Sequence, residues 1–184
     1  MEEHVCPWWV GYILASPLRK LIQNPNKILK PHINPGNKVL DVGSAMGFFT
    51  LPAAEMVGSQ GTVYAVDLQK KMLDSLIKRA QKKGLDHRIT PIQCTSSHLN
   101  LEHMESAIDT IIAIAVVHEV PEKEIFFKEL FACLKKNGTL IFMEPGGHVK
   151  KDQFEMEIQT AELVGFKRGK DISAKRSHGI ILKK

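Results

Sequence analysis

The order of segments along the 184-residue chain predicts an α/β fold, an open and mostly parallel sheet with helices on both faces. Three observations carry that expectation. Apolar, β-branched runs alternate with amphipathic stretches from Lys38 onward. Gly58, Gly84 and Gly165 each stand just past an apolar-periodic stretch, where a glycine ends a helix. Residues 109–117 form a continuous β-branched, apolar-rich run, which suits a central parallel strand covered on both faces.

The elements follow in order. Ser16-Pro17 and Asn24-Pro25 each put a capping residue before a proline at the first helical position, so short helices are expected at 18–23 and 27–30. Asn34-Pro35-Gly36-Asn37 is a turn. Residues 38–42 read as a buried strand, 43–47 as a tight loop and 48–57 as a helix stopped by Gly58. Residues 61–67 make a second strand ending in a carboxylate, and 69–83 an amphipathic helix with Met72, Leu73, Leu76, Ile77 and Ala80 on one side. A third strand is expected at 89–93 and a fourth at 109–117. Residues 123–134 then form a helix, Lys136-Asn137-Gly138 a turn, and 139–144 a strand. A helix over 154–164 and a strand over 179–183 complete the chain. With no repeat and no composition shift, residues 1–184 read as one domain.

An apolar fraction of 43 % and a charged fraction of 24 % describe a globular chain and exclude a disordered or fibrous one. The longest purely apolar run, 111–117, is far short of the roughly 20 residues that cross a bilayer. Met1-Glu2-Glu3-His4 is acidic and precedes no cleavable apolar stretch, so a cytoplasmic protein is expected. Cys6, Cys94 and Cys133 are widely spaced with no C-x-x-C, which suggests neither a zinc site nor a disulfide framework; no metal is expected. Part of the net charge of +5 comes from Lys167, Arg168, Lys170, Lys175, Arg176, Lys183 and Lys184. No nucleic-acid motif accompanies them, so they read as a solvated basic surface.

Chemistry is expected at the first strand–loop–helix unit, because ligands of such sheets bind at the carboxyl ends of the strands. There stands Val39-Leu40-Asp41-Val42-Gly43-Ser44-Ala45-Met46-Gly47-Phe48. Small residues at Gly43, Ser44, Ala45 and Gly47 let a ligand approach the backbone, and the next helix aims its N-terminal amides at it. Asp67 ends the second strand at the spacing of a carboxylate that accepts from ribose hydroxyls. The loop lacks the G-x-G-x-x-G of a dinucleotide site. Asp41 would repel a pyrophosphate but suits the ammonium of a methionine moiety.

Val-Leu-Asp-Val-Gly-x-Ala-x-Gly followed by Val63-Tyr64-Ala65-Val66-Asp67 resembles motifs I and II of the class I S-adenosylmethionine-dependent methyltransferases. The likeness extends over about residues 39–183. The 109–117 run with His118-Glu119-Val120-Pro121 resembles the fourth-strand segment of the ubiquinone/menaquinone-methyltransferase-like branch. Asn137-Gly138-Thr139-Leu140-Ile141-Phe142-Met143-Glu144-Pro145 resembles its fifth strand, and Gly165-Phe166 the segment before its final β-hairpin. The resemblance implies a Rossmann-like fold with an antiparallel C-terminal strand and S-adenosyl-L-methionine as cofactor. It implies a segment at 1–37 folded as a lid over a cofactor-binding core at 38–184. It puts Asp41 and Gly43 at the methionine end, Asp67 on the ribose and Leu68 on the adenine face. Thr95 or Ser96 falls near the adenine edge, with Ile114 and Ala115 beneath the sulfonium. Two positions depart from the pattern: Ala45 replaces the middle glycine, and Cys94-Thr95-Ser96-Ser97 carries no acid.

Methyl transfer from a sulfonium needs an aligned nucleophile and a dry site, and a base only where the nucleophile has a proton to lose. His118 at the rim is the candidate base, or else a cap on the following turn; Glu119 and Glu144 stand beside it as candidate pocket residues. Trp8, Trp9 and Tyr12 would form an apolar or cation-binding lid over the substrate, or else pack a terminal helix onto the domain. The expected acceptor is a small molecule, with a homodimer partner able to supply missing walls. The alternative is a cofactor-binding regulatory module without catalysis. An Asn/Asp-Pro-Pro-Tyr motif is absent at strand four, where Val117-His118-Glu119-Val120 stands instead, so a base-amine methyltransferase is disfavoured.

Overall fold

The computed structural model describes residues 23–174 and 176–184. Five helices and seven strands alternate over them: α1 (Pro25–Leu29), β1 (Lys38–Val42), α2 (Thr50–Val57), β2 (Thr62–Asp67), α3 (Lys70–Gln81), β3 (Ile89–Gln93), β4 (Ile108–Ile114), α4 (Lys123–Cys133), β5 (Leu134–Pro145), α5 (Lys151–Val164), β6 (Lys167–Asp171) and β7 (Ser177–Lys183). The strands form one sheet in the order β3-β2-β1-β4-β5-β7-β6. β1 to β5 pair in parallel, while β7 runs antiparallel to both β5 and β6. The fold is therefore Rossmann-like with an antiparallel C-terminal strand, as the resemblance implied.

The period-two alternation of the strands sorts side chains into two cores, one on each face. Leu40, Val42, Ile111, Ala113, Leu140 and Phe142 pack with α4 and α5. Val39, Val63, Ala65, Ile112, Ile114 and Ile141 pack with α1, α2 and α3. None of the described helices is long and apolar enough to cross a membrane.

Local sequence explains the entry to β1. Asn24 accepts a hydrogen bond from Asn26 N with Pro25 in the first turn of α1, which is the expected cap. In the turn that follows, Asn37 N donates to Asn34 O at 3.1 Å. Residues 18–22, expected to be helical, lie outside the described residues.

Some boundaries differ from expectation, each for a tertiary reason. The helix expected from Phe48 starts at Thr50, because 45–49 is a turn shaped by the loop before it. The fourth strand ends at Ile114 rather than Val117: Ala115 takes a left-handed φ of 59° and a short 3-10 turn covers Val117–Glu119. The turn at Lys136-Asn137-Gly138 is an irregularity inside β5, which starts at Leu134 directly after α4. Ile108 pairs with Leu134 and Thr110 already with Thr139, and Asn137, at φ 66°, absorbs the extra residues. β6 gave no periodic signal because every one of its residues is exposed at the sheet edge, where lysines discourage further pairing.

Candidate active site

The sheet order reverses between β1 and β4, and the site is built at the carboxyl ends of these two strands and of β2. The loop after β1 is fastened to β2, since Gly43 N and Ser44 N both donate to Val66 O, at 2.9 and 3.0 Å. Gly43 sits at φ 71°, and a Cβ there would lie 2.8 Å from Cγ2 of Val116, so backbone and β4 wall touch directly. Gly47, at φ 86°, is equally closed by Leu76 of α3. Arg79 of α3 donates to the carbonyl oxygen of Met46, holding the far side of the loop.

Ala45 adopts φ 46° in the same loop, a left-handed conformation that costs an L-residue roughly 1–2 kcal/mol. Ala45→Gly is therefore expected to stabilise the chain by about 1 kcal/mol or less, glycine's unfolded-state entropy offsetting part of the relief. Chemical denaturation of the two proteins measures the difference.

The Asp67 carboxylate completes the loop. Its Oδ2 accepts from Ala45 N at 2.8 Å and its Oδ1 from Gln69 N at 2.9 Å. Burial pushes its pKa up, and these two backbone donors pull part of it back. Each oxygen keeps a second lone-pair direction for a ligand hydroxyl.

Asp41 is the least expected member electrostatically. It is 3 % exposed and faces α2, where Thr50 Oγ1 donates to its Oδ2 at 2.6 Å. Burial raises its pKa to about 7, the Thr50 hydrogen bond opposes that rise, and the charge of Asp67 adds to it. A nearby cation would restore its charge. Ser44 Oγ is also buried and has no hydrogen-bond partner. A loop with left-handed backbone at three positions, two buried carboxylates and an unanswered hydroxyl fits a polar, cationic, phosphate-free ligand.

The remaining expected residues are spread around this centre. Leu68 is half-buried beside Asp67, and its carbonyl accepts from Gln93 Nε2 at 3.2 Å. Cys94 N donates to Asp67 O at 3.1 Å, which puts the stretch after β3 next to the acid. The Thr95 hydroxyl is taken up by its own turn, accepting from His98 N at 3.0 Å, whereas Ser96 is exposed. Ile114 is buried at the end of β4, and Ala115 N donates to Met143 O at 2.8 Å.

Glu144 stands beside His118 at the end of β5, but turned inward. Its side chain is fully buried, so it forms no wall of a pocket. Its Oε1 accepts from Val117 N at 2.8 Å and His118 N at 3.3 Å, and its Oε2 lies 2.6 Å from His118 Nδ1. The carboxylate at the end of β5 thus holds the turn at the end of β4. The His118 side chain remains 18 % exposed, with Nε2 4.0 Å from Glu119 Oε1. The hydrogen bond to Glu144 raises the His118 pKa above its ordinary value, against a smaller opposing effect of burial. The Glu119 carboxyl is pushed up by burial, with His118 opposing the rise and the charges of Glu144 and Asp67 adding to it.

Sequence reading missed Thr50, Val116 and Glu157. Glu157 left a signal: it shares the buried face of α5 with Phe154, Ile158 and Ala161, an unusual place for a carboxylate. Burial raises its pKa and Glu144 adds to the rise, while Lys123 and the Gln153 side chain oppose it. Trp8, Trp9 and Tyr12 lie outside the described residues, as do His4 and Cys6. Among the described residues, no group of three or more His, Cys, Asp and Glu could hold a metal ion.

The family described as a methyltransferase domain matches residues 33–176. The ubiquinone/menaquinone biosynthesis C-methyltransferase UbiE of Rhizobium etli is 28 % identical over 116 residues, 63 % of this chain and 44 % of that protein. Its counterpart from Wigglesworthia glossinidia brevipalpis is 27 % identical over 111 residues, 60 % of this chain and again 44 % of the relative. The matched part therefore spans less than half the length of these curated relatives. A crystal structure of a SAM-dependent methyltransferase from Aquifex aeolicus superimposes with a TM-score of 0.86, covering 97 % of this chain and 99 % of that one at 23 % identity.

Proposed function

We infer that this chain, which belongs to the methyltransferase domain family, is an S-adenosylmethionine-dependent methyltransferase acting on a small molecule. One observation carries the reading most: Asp41, buried with a single hydroxyl partner, stands beside a loop whose tight backbone leaves a ligand close to it. A phosphate would be repelled there, while an ammonium would supply the missing countercharge.

Asp41 and Gly43 would take the methionine end, with Ser44 and Ala45 beside it and Gly47 keeping the loop tight. Asp67 would accept from the ribose hydroxyls. Leu68 would cover an adenine face, with Thr95 or Ser96 at its edge, and Ile114 and Ala115 would floor the site near sulfur. Bound there, S-adenosylmethionine supplies a methyl group already activated on a sulfonium. The chain's own part is to align the acceptor and exclude water. The names of the relatives point to a carbon atom of a quinone-type ring as the acceptor position.

Calorimetric titration with S-adenosylmethionine, S-adenosylhomocysteine and NAD tests this. Micromolar binding of the first two is expected, with Asp67→Asn weakening it by about 30-fold or more through loss of a charged acceptor. Tighter binding of NAD, or no binding of the first two, would overturn the reading. Retained binding with no methyl transfer to any acceptor would favour a regulatory module.

A further inference from the structure

His118 and Glu144 form a dyad that the cofactor chemistry does not require. A carboxylate with a fully buried side chain receives Nδ1 at 2.6 Å, while its other oxygen accepts two consecutive backbone amides from the same turn. The imidazole is thereby fixed in orientation and tautomer: Nδ1 carries the proton and donates it to Glu144. That leaves Nε2 as the basic atom, on a side chain that keeps 18 % exposure. Val116, two residues before His118, is the residue against which Gly43 packs, so the turn bearing His118 is continuous with the wall of the cofactor loop.

We propose that His118 is the general base of the reaction, that Glu144 is its positioning residue, and that the acceptor is a weak acid whose nucleophile is exposed by losing a proton from a ring hydroxyl. The proposal rests on the methyltransferase reading. In the step, the hydroxyl proton passes to His118 Nε2 and the freed electron pair makes the ring nucleophilic. A bond forms to the methyl carbon while the carbon–sulfur bond breaks, sulfur keeping the pair. For attack through ring carbon, the proton on that carbon leaves as the ring system is restored and the ring oxygen takes back the proton held on His118, so one proton is released per methyl transferred and the base is regenerated. The resulting imidazolium lies against Glu144, which stabilises it without becoming protonated.

The titration of His118 is set by groups on every side. Glu119 belongs to its own turn, Glu144 comes from β5, His148 follows β5 with its ring centroid 6.0 Å away, and Glu157 faces the pair from α5. All three carboxylates favour the protonated ring, so His118 is a stronger base than an isolated histidine.

The test uses the full chain loaded with S-adenosylhomocysteine and 4-nitrophenol as the acidic probe, read by its phenolate absorbance across a pH titration. In the wild type the bound probe is expected to ionise about one pH unit lower than in buffer, because its proton passes to Nε2. His118→Gln should abolish that shift, and Glu144→Gln should reduce it by more than half. In both variants the affinity for S-adenosylhomocysteine should stay within about threefold of wild type, which a purely structural role would not predict. Full retention of the shift in His118→Gln, or no bound phenolate in the wild type, overturns the base. Should Glu144→Gln fail to fold, His118→Gln decides alone, since its side chain is partly exposed. Failure of the wild type to bind S-adenosylhomocysteine would sink the methyltransferase reading and the base with it; binding without a phenolate shift sinks only the base.

Discussion

Asp41→Asn is expected to make the ligand-free chain more stable at pH 8, by about 2–3 kcal/mol, while weakening S-adenosylmethionine binding about tenfold or more. The first effect follows from burial. The folded chain raises the Asp41 pKa from 3.8 to about 7, so it holds a proton that the unfolded chain has released. Stability contributed by that proton is fully present below about pH 4 and is lost as pH rises to about 7, above which it is flat. The full linkage is about 4 kcal/mol at 1.36 kcal/mol per pKa unit, and the buried amide of asparagine gives part of it back. Thr50 can still donate to the asparagine oxygen, so the local contact survives.

Urea denaturation of both proteins at pH 5 and pH 8 separates this from a packing effect. The gap should be small at pH 5 and wide at pH 8. Glu119 and Glu157 are also pushed up by burial, but they are common to both proteins and cancel in the comparison, whereas Asp67 enters it through its repulsion of Asp41. A gap independent of pH would remove the electrostatic account. The binding half has the opposite sign because the substitution deletes the charge that a ligand ammonium would meet. A side chain that destabilises the empty protein yet strengthens the complex is the pattern of a functional residue. Wild-type affinity should also rise with pH from 6 to 8, since a cation binds the ionised carboxylate.

Gly47→Ala is the second substitution with a large expected effect, a loss of about 2–5 kcal/mol. The backbone share comes from φ 86°, where a Cβ crowds its own carbonyl. The packing share comes from Leu76, which is fully buried and blocks the new methyl, and from Leu51 Cγ at 3.3 Å. Gly84→Ala is the matched control. Gly84 has φ 65° with nothing within 4 Å of the place its Cβ would take, so it should lose only about 1–2 kcal/mol. Thermal unfolding of the two variants reads the difference as several degrees in Tm. Equal losses would show that Leu76 moves aside freely. Because Leu51 N donates to Gly47 O at 3.2 Å, displacement of Gly47 also disturbs the start of α2 and with it Thr50.

Much of the molecule is written in short-range pattern. The apolar run, small-residue loop and acid-ended second strand were legible because a strand, a tight loop and a helix start each impose constraints on neighbouring residues. The same holds for the Asn24-Pro25 cap and for the glycine stops after α2, α3 and α5. These local rules placed Asp41 and Asp67 at strand ends without any knowledge of the sheet order. They left β6 unread, because an edge strand exposed on all sides needs no alternation. They took residues 136–138 for a turn between elements, because a left-handed asparagine looks the same in a turn as inside an irregular strand.

The roles of the acids were decided only in three dimensions. By sequence alone, Glu144 and His118 are 26 residues apart and both stand at the rim, His118 as the candidate base and Glu144 as the weaker candidate. Adjacency of β4 and β5 buries the first and leaves the second partly open, turning two candidates into a support and a basic nitrogen. Likewise nothing in the sequence around Asp41 announces that Thr50 will donate to it, or that burial will lift its pKa to about 7. Sequence thus determined which residues stand at the carboxyl ends of the strands, because strand period and loop chemistry are local. Tertiary structure decided which of them keep a charge, a proton or a free lone pair, because desolvation and hydrogen bonding depend on neighbours brought in from distant segments.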